Sequence, residues 1–368
     1  MIPSTARGPW LRAVVLVDAG SEIPTENIQM STEADAGLQA IETLRQVLAP
    51  EADRTQDEAR GFRWWPHAHA MRVWAEPARA DGSCVVAVET VLFTGVAARG
   101  AEFAKLAWRN AKDPGMSALR WDSQSGELSM RCGVVARPND SGAPARRLCH
   151  AALLQIGESL RAADGLAVEL PGATLATPPA PLAGLPVVEQ TETWQAYANE
   201  APGLAAALAE QVGALAGVSP APWLRVTRAA HGLDAEIACA PPHQLTSPGQ
   251  GIALLRISAT QAHPQLGAGL VCVLVPPSET EPVAERAYAT AALLNEAEAR
   301  EWTGVDQLGG WCVHPAAGLS HVVFLPALAV EEDTAEVLAW QAGMRARWAV
   351  QFVAKVAAMR TPEGGTAS

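Results

Sequence analysis

The sequence predicts an α+β protein of two tandem units, each an antiparallel sheet with flanking helices. Three observations support this: a weak internal repeat, turn signals that join strands as hairpins, and a long amphipathic helix that closes each half. The repeat aligns residues 103–110 with residues 288–295, which lie 185 positions further along the chain, and both segments are predicted helices. Each half therefore has the order strands, helix, two strands, long helix, which is typical of an antiparallel sheet with segregated helices.

The chain length allows two separate cores, because 368 residues are long for one domain. We predict a first unit over residues 1–165, a Pro/Ala-rich linker over 166–190, a second unit over 191–360 and a disordered tail over 361–368. The linker contains several prolines between Pro171 and Pro186. They exclude a continuous transmembrane helix from this apolar stretch.

The first unit takes its predicted elements from apolar periodicity and turn residues. Thr32 is a candidate cap for a helix starting near Glu33, residues 51–60 are a predicted exposed loop, and Asp81-Gly82 and Ser125-Gly126 are hairpin turns. In chain order the elements are a strand over 9–17, a helix from 33 to 48, strands over 62–76 and 83–95, a helix over 98–112, strands over 116–122 and 127–136, and a helix over 143–163.

The second unit follows the same order. Its turn at Ala316-Ala317-Gly318 joins the last two strands, and the acidic residues 331–333 complement the dipole at the start of the final helix. In chain order the elements are a helix over 195–216, strands over 223–227, 234–240, 251–260 and 268–275, a helix over 280–302, strands over 307–314 and 319–330, and a helix over 332–359.

Composition excludes some classes of partner. The net charge is −12 and no basic run is present, which disfavours nucleic acid and anionic membranes as partners. The six cysteines form no C-x-x-C pair, so we expect buried reduced thiols and a cytoplasmic location. An Ala- and Arg-rich chain with three lysines is typical of a GC-rich, bacterial genome.

Short catalytic motifs are absent or incomplete. Gly249-Gln250-Gly251 is a fragment of a phosphate-binding loop without the helix that should follow it. His67 and His69 fall in the predicted strand 62–76, where period-2 alternation puts both rings on one face. Two histidines so placed can ligate a metal, but half-exposed histidines at a strand start are the alternative that we favour. We therefore predict no catalytic residue, no cofactor, no metal and no enzyme activity.

The repeat and its tryptophans supply the remaining candidate residues. Asn110 and Asn295 are the polar positions shared by the two repeat helices, where they either bind a partner's backbone or make a structural hydrogen bond; the second is favoured. Tryptophan is enriched at the centres of protein interfaces. Trp340, Trp121 and Trp311 are accordingly the predicted partner-binding residues, and Trp340, which is off the inner stripe of the last helix, is the best candidate for exposure.

The repeated unit resembles the YbjN-like family, whose fold is similar to that of type III secretion chaperones. The segments that carry the resemblance are 103–110, 118–122 and 126–128 in the first half, and 293–297, Trp311 and Gly318-Leu319 in the second. The resemblance implies a non-catalytic module that binds a partner polypeptide. It also implies an internal pseudo-dimer, because such chaperones are homodimers, so the chain would be a monomer or would itself form a homodimer.

Two other classes of protein remain open. One is an enzyme or a small-molecule binder with a pocket between the two halves, since domain interfaces are common places for pockets. The other is a structural scaffold without a dedicated site. A deep pocket with convergent Asp, Glu, His or Ser side chains would favour the first, whereas a shallow apolar groove lined by Trp and Leu would favour protein binding.

Overall fold

A computed structural model describes residues 35–97, 100–138, 140, 142–170, 172–177, 203–217, 222–239, 251–277, 284–301 and 304–360. The predicted strand over 9–17, most of the predicted linker, the Gly249-Gln250 pair and the tail over 361–368 lie outside the described residues.

The first half forms a seven-stranded antiparallel sheet with three helices. Its strands have the spatial order β1-β2-β3-β4-β6-β5, and β7 pairs with the end of β4 on the edge opposite β6. The elements are α1 (Ala36–Leu48), β1 (Thr55–Glu58), β2 (Gly61–Trp64), β3 (Met71–Ala75), β4 (Cys84–Thr94), α2 (Gly100–Lys112), β5 (Ala118–Trp121), β6 (Leu128–Ala136), α3 (Ala143–Ala167) and β7 (Thr174–Leu175).

The second half forms a six-stranded antiparallel sheet with the order β8-β9-β10-β11-β13-β12, so it repeats the strand order of the first sheet element for element. The elements are α4 (Leu204–Gly217), β8 (Leu224–Ala229), β9 (Gly232–Ala238), β10 (Ile252–Ser258), β11 (Gly269–Val275), α5 (Ala284–Arg300), β12 (Gly310–His314), β13 (Gly318–Pro326) and α6 (Thr334–Arg360). The predicted α+β class with antiparallel sheets is confirmed.

Local residue chemistry explains where several elements begin and end. Helix α1 starts after Asp35, whose carboxylate accepts hydrogen bonds from the backbone N–H groups of Gly37 and Leu38. The Asp-Gly hairpin between β3 and β4 is confirmed, with Gly82 at a φ of 77° that suits glycine. Helix α3 continues beyond the predicted boundary at 165, and β7 adds part of the predicted linker to the first sheet.

Two local predictions were wrong. The predicted strand over 62–76 is two strands, because Pro66 cannot donate a hydrogen bond to a sheet ladder and β2 ends at Trp64. The predicted loop over 51–60 contains β1, a short polar strand that pairs with β2 at the sheet edge. Edge strands tolerate polar residues because one side of the strand faces solvent.

The inner face of each sheet is packed against helices. Helices α1 and α3 cover β4 and β6, while α4 and α6 cover the sheet formed by β8 to β11. One continuous cluster of buried side chains runs through both halves, from Leu44 and Leu148 in the first to Leu233 and Leu338 in the second. The two halves therefore share one apolar core.

Residues 304–309, between α5 and β12, cross from the second half onto the first sheet. Gln307 and Gly133 exchange two backbone hydrogen bonds, with N···O distances of 2.7 and 3.1 Å. The Asp306 carboxylate accepts a hydrogen bond from the backbone N–H of Val135 and forms an ion pair of 3.1 Å with Arg147. This segment, which we call the crossing loop, is thus fixed to the first half by buried polar contacts.

Candidate functional site

An open groove with a volume of about 660 Å³ lies on the outer face of the second sheet. Side chains of a strand alternate between faces, so each strand of this sheet also presents residues away from α4 and α6. The groove floor consists of such residues from β10, β11 and β13, namely Leu254, Val271, Val273, Val275, Val322 and Phe324. Leu254 is 54% exposed, which is high for an apolar residue in the middle of a sheet.

The walls of the groove come from both halves of the chain. Ala111, Lys112 and Pro114, at the end of α2, form one wall. Residues 261–264, between β10 and β11, and the hairpin end at 314–317 contribute the others. The groove therefore exists because the two halves pack together, and neither half alone contains all of its walls.

Charged groups lie at the rim of the groove and its floor is apolar. Arg256 donates to Asp234 at 2.9 Å, and His231 lies 3.1 Å from the same carboxylate. The ammonium group of Lys112 lies 4.8 Å from the ring of Trp108, which is 46% exposed on the outside of α2. The groove thus combines an apolar floor with charged groups at its edge.

His263 forms one end of the groove and presents a fixed hydrogen-bond donor. Its Nδ1 atom accepts from the backbone N–H groups of Gln265 and Leu266 at 3.2 and 3.1 Å. The proton of the neutral ring is therefore on Nε2. Burial lowers the pKa of His263, and its ring packs 5.0 Å from that of Phe324, so the imidazole is neutral at pH 7.

A smaller polar cavity of about 220 Å³ lies behind His263, between the end of α2 and the middle of α3. The carboxyl group of Glu158 lines it, and its Oε2 atom is buried without a hydrogen-bond partner among the described residues. Burial raises the pKa of Glu158 to about 7. Gly115 leaves the space for this carboxyl, since a Cβ atom there would lie 2.8 Å from Oε1.

The predicted histidine pair lies in an irregular turn and not in a strand, so that prediction was wrong. His67 and His69 are buried at 6% and 2% exposure, with ring centroids 5.5 Å apart. The Nδ1 atom of His67 accepts the backbone N–H of His69, so its Nε2 carries the proton and donates to Ser159 Oγ at 3.1 Å. His67 thus cannot take a proton from Ser159, and burial lowers its pKa to about 4.

The paired asparagines make structural hydrogen bonds, as favoured above. Asn110 bonds both the N–H and the C=O of Leu119 in β5, at 2.9 and 3.1 Å. Asn295 bonds the same two groups of Trp311 in β12, at 2.7 and 2.8 Å. Strands β5 and β12 meet at Ala118 and Gly310, where a Cβ atom on Gly310 would lie 2.5 Å from the Cβ of Ala118.

The three predicted partner-binding tryptophans occupy different environments, and none lines the groove. Trp340 is 41% exposed on α6. Trp121 is half-buried, donates its indole N–H to the C=O of Val96 and packs on Phe103. Trp311 is fully buried and donates to the Glu298 carboxylate, so no partner can reach it in the folded chain. Tryptophan enrichment does not distinguish interfaces from cores, which is why sequence reasoning grouped them.

Among the described residues no cluster of three or more His, Cys, Asp or Glu side chains could hold a metal ion. Burial raises the pKa of Cys132, Cys149, Cys272 and Cys312 to about 12, so these thiols are protonated and unreactive at pH 7. No helix in the described part of the chain is both long enough and apolar enough to span a bilayer.

Sequence reasoning missed both the groove and Glu158. The signal for the groove was β11, which is apolar at nearly every position and not only at alternate ones. The signal for the cavity was the set of polar positions Gln155, Glu158 and Ser159 along one side of helix α3. Comparisons with protein-family models, with curated proteins and with solved structures found no significant match to this chain.

Proposed function

We propose that this chain is a non-catalytic, chaperone-like module whose groove binds an extended apolar segment of a partner polypeptide. The apolar floor of the groove, in which Leu254 is strongly exposed, is the observation that carries the proposal. A small-molecule site encloses most of its ligand. A floor with Leu254 at 54% exposure is instead suited to one face of an extended chain, whose other face stays in solvent.

The arrangement of the two halves supports an internal pseudo-dimer. The same strand order occurs in both sheets, and equivalent asparagines hold the edge strands β5 and β12 where the halves meet. Duplication of one chaperone-like unit within a single chain accounts for both features. The groove then corresponds to the surface between subunits of a homodimeric chaperone, and a monomer is the expected state in solution.

A displayed library of random twelve-residue peptides, selected against the immobilised full-length chain, tests this proposal. We expect enrichment of sequences with alternating apolar residues. The most enriched peptide, labelled with fluorescein, is then titrated against Leu254→Ser, and its affinity should fall about tenfold because a buried leucine contact is lost. The matched control is Leu38→Ser, since Leu38 is 42% exposed on α1 outside the groove.

Three results would overturn the proposal. One is the absence of apolar sequences among the selected peptides, and another is equal affinity of the labelled peptide for the two serine variants. The third is a concentration-dependent dimer, seen by light scattering, that Leu254→Ser abolishes, because a second copy of the chain would then occupy the groove. Both exposed leucines are expected to be replaceable without loss of folding, which thermal melting checks.

A further inference from the structure

The polar cavity behind His263 and the groove are lined in part by the same elements. His263 lines both, and the end of α2 lines both, through Lys112 and Pro114 on the groove side and Asn110 and Asp113 on the cavity side. His263 therefore stands between the groove and the cavity.

The polar groups that line the cavity differ in whether they already have hydrogen-bond or ion-pair partners. Both amide atoms of Asn110 bond β5, the hydroxyl of Ser117 donates to Gln155, and the guanidinium of Arg109 pairs with Glu169 at 2.7 Å. The Oε2 atom of the Glu158 carboxyl is buried and has no hydrogen-bond partner among the described residues. An unpaired buried carboxylate is costly and gains much from a hydrogen-bonding cation.

The charges around the cavity also favour a ligand of one charge over the other. Glu158 and Asp113 are acidic and Arg161 is basic, while the charge of Arg109 is balanced by Glu169. His263 is neutral because burial lowers its pKa. Asp113 and Arg161 offset each other, so ionisation of Glu158 gives the cavity a net charge of about −1, which a single bound cation neutralises.

We propose that this cavity is a specificity pocket that takes a lysine or arginine side chain of the segment docked in the groove, with Glu158 as its hydrogen-bonding counter-ion. This proposal rests on the proposed function and adds the side-chain chemistry of the partner. The raised pKa of Glu158 fits the same assignment, because a carboxyl without a cation holds its proton and a bound cation releases it.

The test repeats the peptide selection against Glu158→Gln, with Glu332→Gln at the exposed start of α6 as the matched control. We expect the native chain and the control to enrich apolar sequences with one lysine or arginine at a fixed position. The Glu158→Gln variant should still enrich apolar sequences but without the fixed basic residue. A labelled peptide from the first set should bind Glu158→Gln about 10- to 100-fold more weakly, the loss expected for a charge-assisted hydrogen bond.

The outcomes separate the two proposals. Apolar enrichment without a basic position in the native chain would overturn the specificity pocket and leave the groove intact, whereas no apolar enrichment would overturn the groove itself. A second measurement does not depend on the variant: n-butylguanidinium chloride should displace the basic peptide from the native chain, and n-butanol at the same concentration should not. Equal displacement by both compounds, or by neither, would also overturn the pocket.

Discussion

The outer faces of the two sheets hold equivalent positions in the fold, yet one is filled and the other is open. Ala118 opposes Arg131 in the first sheet and Gly310 opposes Val322 in the second. Two residues further along, Gly133 and Phe324 are therefore equivalent. The crossing loop bonds to Gly133, whereas the backbone N–H of Phe324 donates one hydrogen bond of 3.3 Å to the C=O of Gly115, and Phe324 forms part of the open groove.

The side chains on the outer faces of the two sheets also differ. On the first face, Trp74 lies between the guanidinium groups of Arg72 and Arg131, at 4.9 and 5.0 Å. Glu58 forms ion pairs with Arg63 and Arg72. On the second face, Val322 and Val273 take the positions of Arg131 and Glu89, while Arg256 and Ser258 take those of Arg72 and Trp74. A shared fold thus provides two surfaces, and the packing of the crossing loop together with a few side chains decides which of them is open.

The largest expected effect comes from releasing the crossing loop. Asp306→Ala removes the ion pair with the buried Arg147 and the bond to the Val135 N–H, and leaves the guanidinium with only its longer contact of 3.7 Å to Glu331. We expect a loss of about 3–5 kcal/mol in the free energy of unfolding, measured with urea at pH 7. Asp57→Ala is the control, because Asp57 is 79% exposed in its pair with Arg45 and should cost no more than about 1 kcal/mol. Similar losses in the two variants would mean that the loop does not fix the first face.

The next largest expected effect is a pH dependence of stability, which comes from Glu158 beside the open groove. The native pKa of Glu158, about 7, lies above the ordinary value of 4.5, so the folded chain holds a proton that the unfolded chain releases between these values. The contribution of Glu158 to stability therefore falls as the pH rises from about 4.5 to about 7 and is constant above that. The stability of Glu158→Gln relative to the native chain should rise over this interval by up to about 3 kcal/mol.

Urea unfolding at half-unit steps from pH 4.5 to 8 measures this difference. Glu332→Gln, which changes an exposed acid, should run parallel to the native chain. A flat difference curve for Glu158→Gln would show that the Glu158 carboxyl is paired or hydrated in solution.

A smaller and symmetric effect is expected where the halves meet. Asn110→Ala and Asn295→Ala each leave one buried strand N–H and one C=O without a partner, in β5 and in β12 respectively. Each should lower the free energy of unfolding by about 2 kcal/mol, and the two losses should agree closely if the positions are equivalent. Thermal and urea unfolding measure them, and Gln46→Ala on the exposed side of α1 should change stability by about 0.5 kcal/mol or less. A loss in one asparagine variant alone would count against equivalence.

Much of the fold could be predicted from the sequence because the signals are local. The Asp81-Gly82 turn, the periodic helix over 98–112 and the strand pair after it depend on residues within a few positions of one another, and the structure contains all of them. The failures also have local causes. Pro66 interrupts a strand that β-propensity alone extends, and β1 is polar because it lies at an edge.

The candidate site was less predictable because it depends on distant segments. Trp311 and Trp340 have the same side chain, but one is fully buried and the other is 41% exposed, and that difference is set by what packs against each of them. His67 and His69 were expected on one strand face, and the structure buries them in a turn against Ser159 of α3. Each of these side chains packs against a segment that is distant in the sequence. The periodicity of apolar residues does not predict such contacts.

By itself the sequence determined the repeated order of elements and the antiparallel hairpins, because these follow from turn chemistry and from side-chain periods of 2 and 3.6 residues. Only the tertiary structure decided which sheet face is filled and which is open. That choice depends on where the crossing loop packs and on the wall formed by α2, and both are contacts between the two halves. It also decided that the Oε2 atom of Glu158 is buried without a hydrogen-bond partner among the described residues, since burial is a property of the packed chain.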